Sequence, residues 1–79
     1  LTGGGGNDTL TGGGGNDTLI GGSGASDIAV FSGNSSSYTF TNNGDGTITV
    51  NGSDGSDTLS GVETLRFSGG GADVDTSTI

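Results

Sequence analysis

The nine residues Leu1-Thr2-Gly3-Gly4-Gly5-Gly6-Asn7-Asp8-Thr9 recur without change at positions 10–18. Such a strict period confines a chain to stacked copies of one small unit, because a nine-residue piece buries nothing by itself. A third copy begins at Leu19-Ile20-Gly21-Gly22-Ser23-Gly24 and then drifts. Re-phased, the unit is G-G-x-G-x-D-x-U-x, with U a large apolar residue. Residues 3–11 and 12–20 fill every fixed position. Leu1-Thr2 read as the tail of an earlier unit, so the chain is expected to be a piece of a longer array, cut at its N-terminus.

The rest of the composition narrows the chemistry. The chain has 79 residues, among them 20 Gly, and its nine acidic residues face a single base, Arg66, for a net charge of -8. This length allows one domain. Without Cys or His there is no disulfide frame, no thiolate or imidazole metal site, and no Cys or His nucleophile or base. The charge argues against nucleic acid and anionic membranes as partners. No apolar run approaches the ~20 residues of a membrane span, so no membrane insertion is expected. Only 25% of residues are hydrophobic. Their burial does not offset the cost of ordering so much glycine. Either the chain is disordered or something outside it supplies stability, and a cation that answers the carboxylates is the obvious candidate.

The repeat resembles the nonapeptide of RTX (repeats-in-toxin, hemolysin-type) proteins, with the likeness concentrated in residues 1–31. The residues support the same chemistry. Six of them form a turn and three a short strand. Glycines allow positive φ, which aims successive carbonyls inward, and Asp8 and Asp17 add carboxylates. An all-oxygen set selects Ca²⁺ or Mg²⁺, and loose, carbonyl-rich loops favour Ca²⁺. The resemblance implies an all-β fold: a parallel β-roll, or solenoid, with turns on alternate edges and an ion between turn n and turn n+2. It implies that Gly3, Gly4, Gly6 and Asp8 face Gly21, Gly22, Gly24 and Asp27, and that Asp8 and Asp27 share an ion. Gly12, Gly13, Gly15 and Asp17 form the turn on the other edge, whose partner is missing upstream or irregular downstream. The third turn has one extra residue before its Asp. If Ser26 bulges out, Asp27 reaches the ion; if not, that site is weakened.

Downstream, Ile28-Ala29-Val30-Phe31 is apolar on both faces and asks for a second layer over it. The C-terminal half is therefore expected to cap the roll with a β-hairpin and further short strands over 32–67. Alternation in 37–42 and 47–51 around Asn43-Gly44-Asp45-Gly46 predicts a hairpin over 37–51. Pairing Phe40 with Ile48 and Tyr38 with Val50 keeps apolar residues on one face and leaves loop 43–45 with a bulge at Gly46. Residues 52–60 read as a degenerate repeat with Ser53 in place of a Gly, and Asp57 adds a further metal ligand. Residues 62–67 read as a strand, on which Glu63 and Arg66 point to opposite faces. The run 54–70 resembles a segment often found after RTX arrays, and residues 68–79 are expected to fray.

Other readings fit less well. A disordered linker ignores the strict period. Collagen lacks its every-third glycine, and the dinucleotide, Walker and EF-hand templates all fail on spacing. Asp54 and Asp57 read as turn residues or ligands rather than a catalytic pair, and Asp45 as ordinary turn chemistry; no enzyme activity is expected. Tyr38 and the phenylalanines read as cap core rather than a sugar platform. The N-x-[ST] triplets at Asn7, Asn16, Asn34 and Asn51 are discounted as glycan sites. The resemblance implies a secreted, extracellular module exported by type I secretion from a Gram-negative bacterium, which folds on Ca²⁺ and supports a larger effector. The alternative is a calcium-dependent surface protein such as an S-layer, adhesin or filament subunit, joined to neighbouring chains.

Overall fold

A computed structural model describes residues 1–24, 26–52 and 55–79. They form eight strands: β1 (Thr9–Thr11), β2 (Thr18–Ile20), β3 (Ile28–Phe31), β4 (Thr39–Asn42), β5 (Thr47–Gly52), β6 (Gly55–Ser60), β7 (Thr64–Phe67) and β8 (Val74–Asp75). Two short 3₁₀ turns, Ser35–Ser37 and Thr76–Thr78, complete the secondary structure, and no α-helix occurs among the described residues. The fold is all-β. Among the described residues no helix is long and apolar enough to cross a membrane.

Two open four-stranded sheets, ordered β1-β3-β7-β8 and β2-β6-β5-β4, mix parallel and antiparallel pairs. Consecutive repeat strands go to different sheets, so each pairs in parallel with a strand further on: β1 with β3, β3 with β7, and β2 with β6. Leu1-Thr2 lie alongside β2, with Ile20 N–H donating to Leu1 O at 2.7 Å and Gly3 N–H to Ile20 O at 2.8 Å. The single leucine of each early strand points inward, because alternation along three residues buries only the middle one. Register then aligns Leu10, Ala29 and Leu65 across one sheet, and Leu19, Leu59 and Ile48 across the other. The core between the sheets holds these residues with Phe31, Tyr38, Val50, Val62 and Phe67. On β3, Ala29 and Phe31 are buried, whereas Ile28 and Val30 are only half-buried. The second apolar face is thus partly shielded rather than covered by a full layer.

The aromatic residues pack together, Phe31, Tyr38 and Phe67 in the core and Phe40 against it. Phe67 stacks on Phe31 with centroids 5.6 Å apart and meets Tyr38 at 5.3 Å and Phe40 at 5.9 Å. The hairpin register differs from expectation by two residues. Phe40 lies opposite Val50, and Asn42 opposite Ile48. A two-residue slip keeps every side chain on its face, so alternation alone does not choose between them. Tyr38 chooses. Its ring sits over Gly52, where a side-chain carbon would lie 2.4 Å from Tyr38 Cδ1, and its hydroxyl accepts from Gly33 N–H at 3.1 Å. The loop lengthens to Asn43-Gly44-Asp45-Gly46 and is closed by polar contacts. Asn43 N–H donates to Thr47 O at 3.0 Å, Gly44 N–H to Asn42 Oδ1 at 2.9 Å, and Thr47 N–H to Asp45 Oδ1 at 3.0 Å.

The Thr47 hydroxyl and amide hold the Asp45 carboxyl below its ordinary value of 3.8. The bond therefore supports the loop above that value and is lost as pH falls through the lowered one. An acid titration followed by NMR is expected to move the Thr47 amide with a midpoint below 3.8. A midpoint at or above the ordinary value would remove Asp45 from the loop's stabilisation.

Two further differences concern the C-terminal region. The strand expected at 62–67 starts only at Thr64, so Val62 and Glu63 belong to a turn. Residues 68–79, expected to fray, carry β8, antiparallel to β7, and Val74 and Ile79 pack against the core. Thr76 N–H donates to Glu63 O at 3.0 Å, and Asn42 Nδ2 to Ile79 O at 3.3 Å. Arg66 pairs with Asp73 at 3.5 Å, with both side chains about half exposed, so the pair adds little.

Candidate metal centre

Alternation between sheets stacks every turn on a later one, and three such contacts follow. The turn at 3–8 lies against that at 21–27: Ile28 N–H donates to Asp8 O at 2.8 Å, and Asp8 N–H to Asp27 Oδ1 at 2.9 Å. The turn at 12–17 lies against the start of β6: Thr58 N–H donates to Asp17 O at 2.9 Å, and Asp17 N–H to Asp57 Oδ1 at 2.8 Å. The turn at 21–27 in turn meets residues 61–63: Glu63 N–H donates to Asp27 O at 3.1 Å, and Asp27 N–H to Glu63 Oε1 at 2.7 Å. The same bond recurs each time. A carboxylate of the later turn accepts the amide of the acidic residue in the earlier one.

The glycines allow the close approach. At Gly22 and Gly24, φ is +82° and +140°, and a side-chain carbon would lie 2.4 Å from Gly4 O and 2.2 Å from Gly6 O. Any larger residue would push those carbonyls away from the facing turn. Gly55 holds the corresponding place against Gly15 O, at 2.2 Å. Gly4, Gly6, Gly13 and Gly15 share the positive φ. Gly3, Gly12 and Gly21 leave room for the carboxylates themselves: a carbon on each would lie 2.6, 2.8 and 2.8 Å from Oδ2 of Asp8, Asp17 and Asp27 respectively.

The electrostatics of these contacts are unbalanced. Among the described residues, Asp27 and Asp57 are the buried charged ones, at 0% and 2% exposure. Oδ2 of Asp8, of Asp17 and of Asp27 is buried without a hydrogen-bond partner. A desolvated carboxylate oxygen without donor or cation is costly. Carboxylate and backbone carbonyl oxygens, the hard donor type that Ca²⁺ takes, meet at one point: a carbon on Gly21 would lie 2.8 Å from Asp27 Oδ2 and 2.3 Å from Gly61 O. No group of three or more His, Cys, Asp or Glu side chains converges among the described residues.

Sequence reasoning set the turn of Asp8 against that of Asp27, and the two turns do meet, through Asp8 N–H and Asp27 Oδ1. The register explains how the extra residue is tolerated. Leu10 aligns with Ala29, one position beyond the spacing of the Thr2–Ile20 bridge, so the insertion is absorbed inside the turn. Ser26 is exposed, whereas Ala25 beside it, like Ser53 and Asp54, lies outside the described residues. The partner of Asp17 proves to be Asp57, forty positions on, with Asn16 Oδ1 also accepting from Ser56 N–H at 2.8 Å. Glu63 was missed as a member of the ladder. Its signal is Gly61-Val62-Glu63-Thr64-Leu65, which repeats Gly6-Asn7-Asp8-Thr9-Leu10 with Val for Asn and Glu for Asp. No curated protein and no solved structure matches the chain. Residues 1–28 and 40–61 match the RTX calcium-binding nonapeptide repeat, in four copies.

Proposed function

Because the chain belongs to the RTX calcium-binding nonapeptide-repeat family, whose repeats bind Ca²⁺, we propose that it is a module that folds on Ca²⁺ outside the cell. The family repeat is a structural, calcium-binding unit rather than an enzymatic one, and such proteins are typically extracellular. The observation that carries the reading is the set of buried Oδ2 atoms of Asp8, Asp17 and Asp27, which have no hydrogen-bond partner in turns that stack on one another. Bound calcium would supply the positive charge those oxygens lack.

Two positions follow from the stacked repeats. Asp8, Asp27, Gly4 O and Gly6 O would hold one ion, and Asp17, Asp57 and Gly15 O a second. Gly3, Gly12 and Gly21 leave space for the carboxylates, and Gly13, Gly22 and Gly24 set the paths of their turns. The parallel pairs then read as the end of a β-roll, with the antiparallel strands β4, β5 and β8 as its cap. At low calcium, repulsion within a chain of net charge -8 keeps it expanded. At millimolar calcium, the neutralised carboxylates let the turns stack, so binding free energy becomes folding free energy. Affinity should fall near ~10⁻⁴–10⁻³ M, the range of extracellular modules. A module of this kind suits export, unfolded, by type I secretion from a Gram-negative cell, followed by folding that supports or displays an attached effector.

Circular dichroism during a Ca²⁺ titration, with Mg²⁺ as control, tests the reading. A cooperative gain of β-signal near ~1 mM Ca²⁺, absent with Mg²⁺, is expected. A spectrum indifferent to calcium up to ~10 mM would overturn calcium-driven folding of this chain.

A further inference from the structure

Residues 61–63 join β6 to β7 in a turn of three, where β1 and β2 are joined by the six residues 12–17. Val62 and Glu63 lie beyond the residues that match the repeat. The short turn nevertheless reproduces the inter-turn contacts. Glu63 Oε1 accepts Asp27 N–H at 2.7 Å, and the amides of Glu63 and Thr64 both donate to Asp27 O at 3.1 Å. Asp27 is fully buried, its Oδ1 is engaged on the Asp8 side, and its Oδ2 has no hydrogen-bond partner.

That oxygen faces the short turn. A side-chain carbon on Gly21 would lie 2.3 Å from Gly61 O and 2.8 Å from Asp27 Oδ2. Two oxygens held by one calcium ion lie within ~5 Å of each other, a limit that two atoms so close to one point nearly guarantee. Gly22 O borders the contact as well, 3.2 Å from where a carbon on Gly61 would stand. The turn is fixed from outside: Thr76 Oγ1 donates to Val62 O at 2.8 Å, and Thr76 N–H to Glu63 O at 3.0 Å. Val62 anchors it in the core.

We infer that this contact is a third calcium position, held by Asp27, Glu63 and the carbonyls of Gly22 and Gly61. Glutamate stands where a full turn has aspartate, because its extra methylene lets a three-residue turn reach the amide of Asp27. Asp27 then serves two positions, one oxygen toward each. The inference rests on the calcium-module reading and adds one ion to the two assigned to the repeats.

Counting Ca²⁺ bound to the chain by native mass spectrometry and calorimetry separates the two claims. Three ions are expected for the wild type. Glu63→Gln keeps an oxygen for the Asp27 amide but removes the charge, so it is expected to weaken one ion at least about tenfold. Two ions on the wild type, or unchanged binding by Glu63→Gln, would overturn the third position while leaving the repeat sites intact. No ion at all would overturn both readings. The wild-type count decides even if the variant does not fold.

Discussion

Asp27→Asn is expected to raise the calcium concentration at the folding midpoint at least about tenfold, which corresponds to ~1.4 kcal/mol or more. Asparagine retains an oxygen for the Asp8 amide, which Asp27 Oδ1 accepts at 2.9 Å, so the change isolates the charge. Asp27 is wholly buried and stands between two stacked contacts, with one oxygen engaged and the other orphaned. At a calcium concentration about 100 times Kd, each ion that binds only the folded chain adds ~2.7 kcal/mol. Losing one or both positions beside Asp27 therefore costs ~3–5 kcal/mol. Asp45→Asn is the control, because that carboxylate is exposed in the hairpin loop and bonded to Thr47. Its midpoint should stay within about twofold of the wild type. Calcium titrations of both variants by circular dichroism decide the matter, and equal shifts would mean that the ions lie elsewhere.

Phe67→Ala is expected to destabilise the calcium-loaded protein by ~3–5 kcal/mol. The ring is buried and touches Phe31, Tyr38 and Phe40, so it joins β3, β7 and the hairpin into one packed unit. Domains of this size have ~5–15 kcal/mol in total, so the variant loses a large part of its margin. Urea unfolding in saturating calcium should show a lowered midpoint with an unchanged slope. Leu1→Ala, at a side chain 60% exposed, should shift stability by less than ~0.5 kcal/mol. If Phe67→Ala had no larger effect than Leu1→Ala, the aromatic core would contribute nothing measurable to stability. The two variants thus probe different halves of the stability, one electrostatic and one apolar.

Several features are legible in the sequence because their causes are local. A turn of six residues carries its own glycines and its own Asp, so period and chemistry appear together in residues 3–8 and 12–17. The inward leucines of β1 and β2 follow from alternation over three residues. The pairing of Asp8 with Asp27 follows from a fixed two-unit offset, which one inserted residue did not disturb. The hairpin register was not legible. Two registers place the same residues on the same face, and the choice between them depends on the Tyr38 ring lying over Gly52.

What the sequence determined by itself is the composition of each turn: hard oxygen donors, glycines that let carbonyls approach, and an excess of negative charge. These properties reside in nine consecutive residues and need no distant partner. Only the tertiary structure decided which turns meet beyond that first pair. Asp17 meets Asp57 across the whole β4–β5 hairpin, and Asp27 meets Glu63 in a turn half the usual length. Such partners are selected by parallel pairing of β2 with β6 and of β3 with β7, and that pairing is held by Leu19, Leu59, Leu65 and Phe67 in the shared core. A local pattern specifies a ligand, but burial between two sheets specifies the ligand it faces.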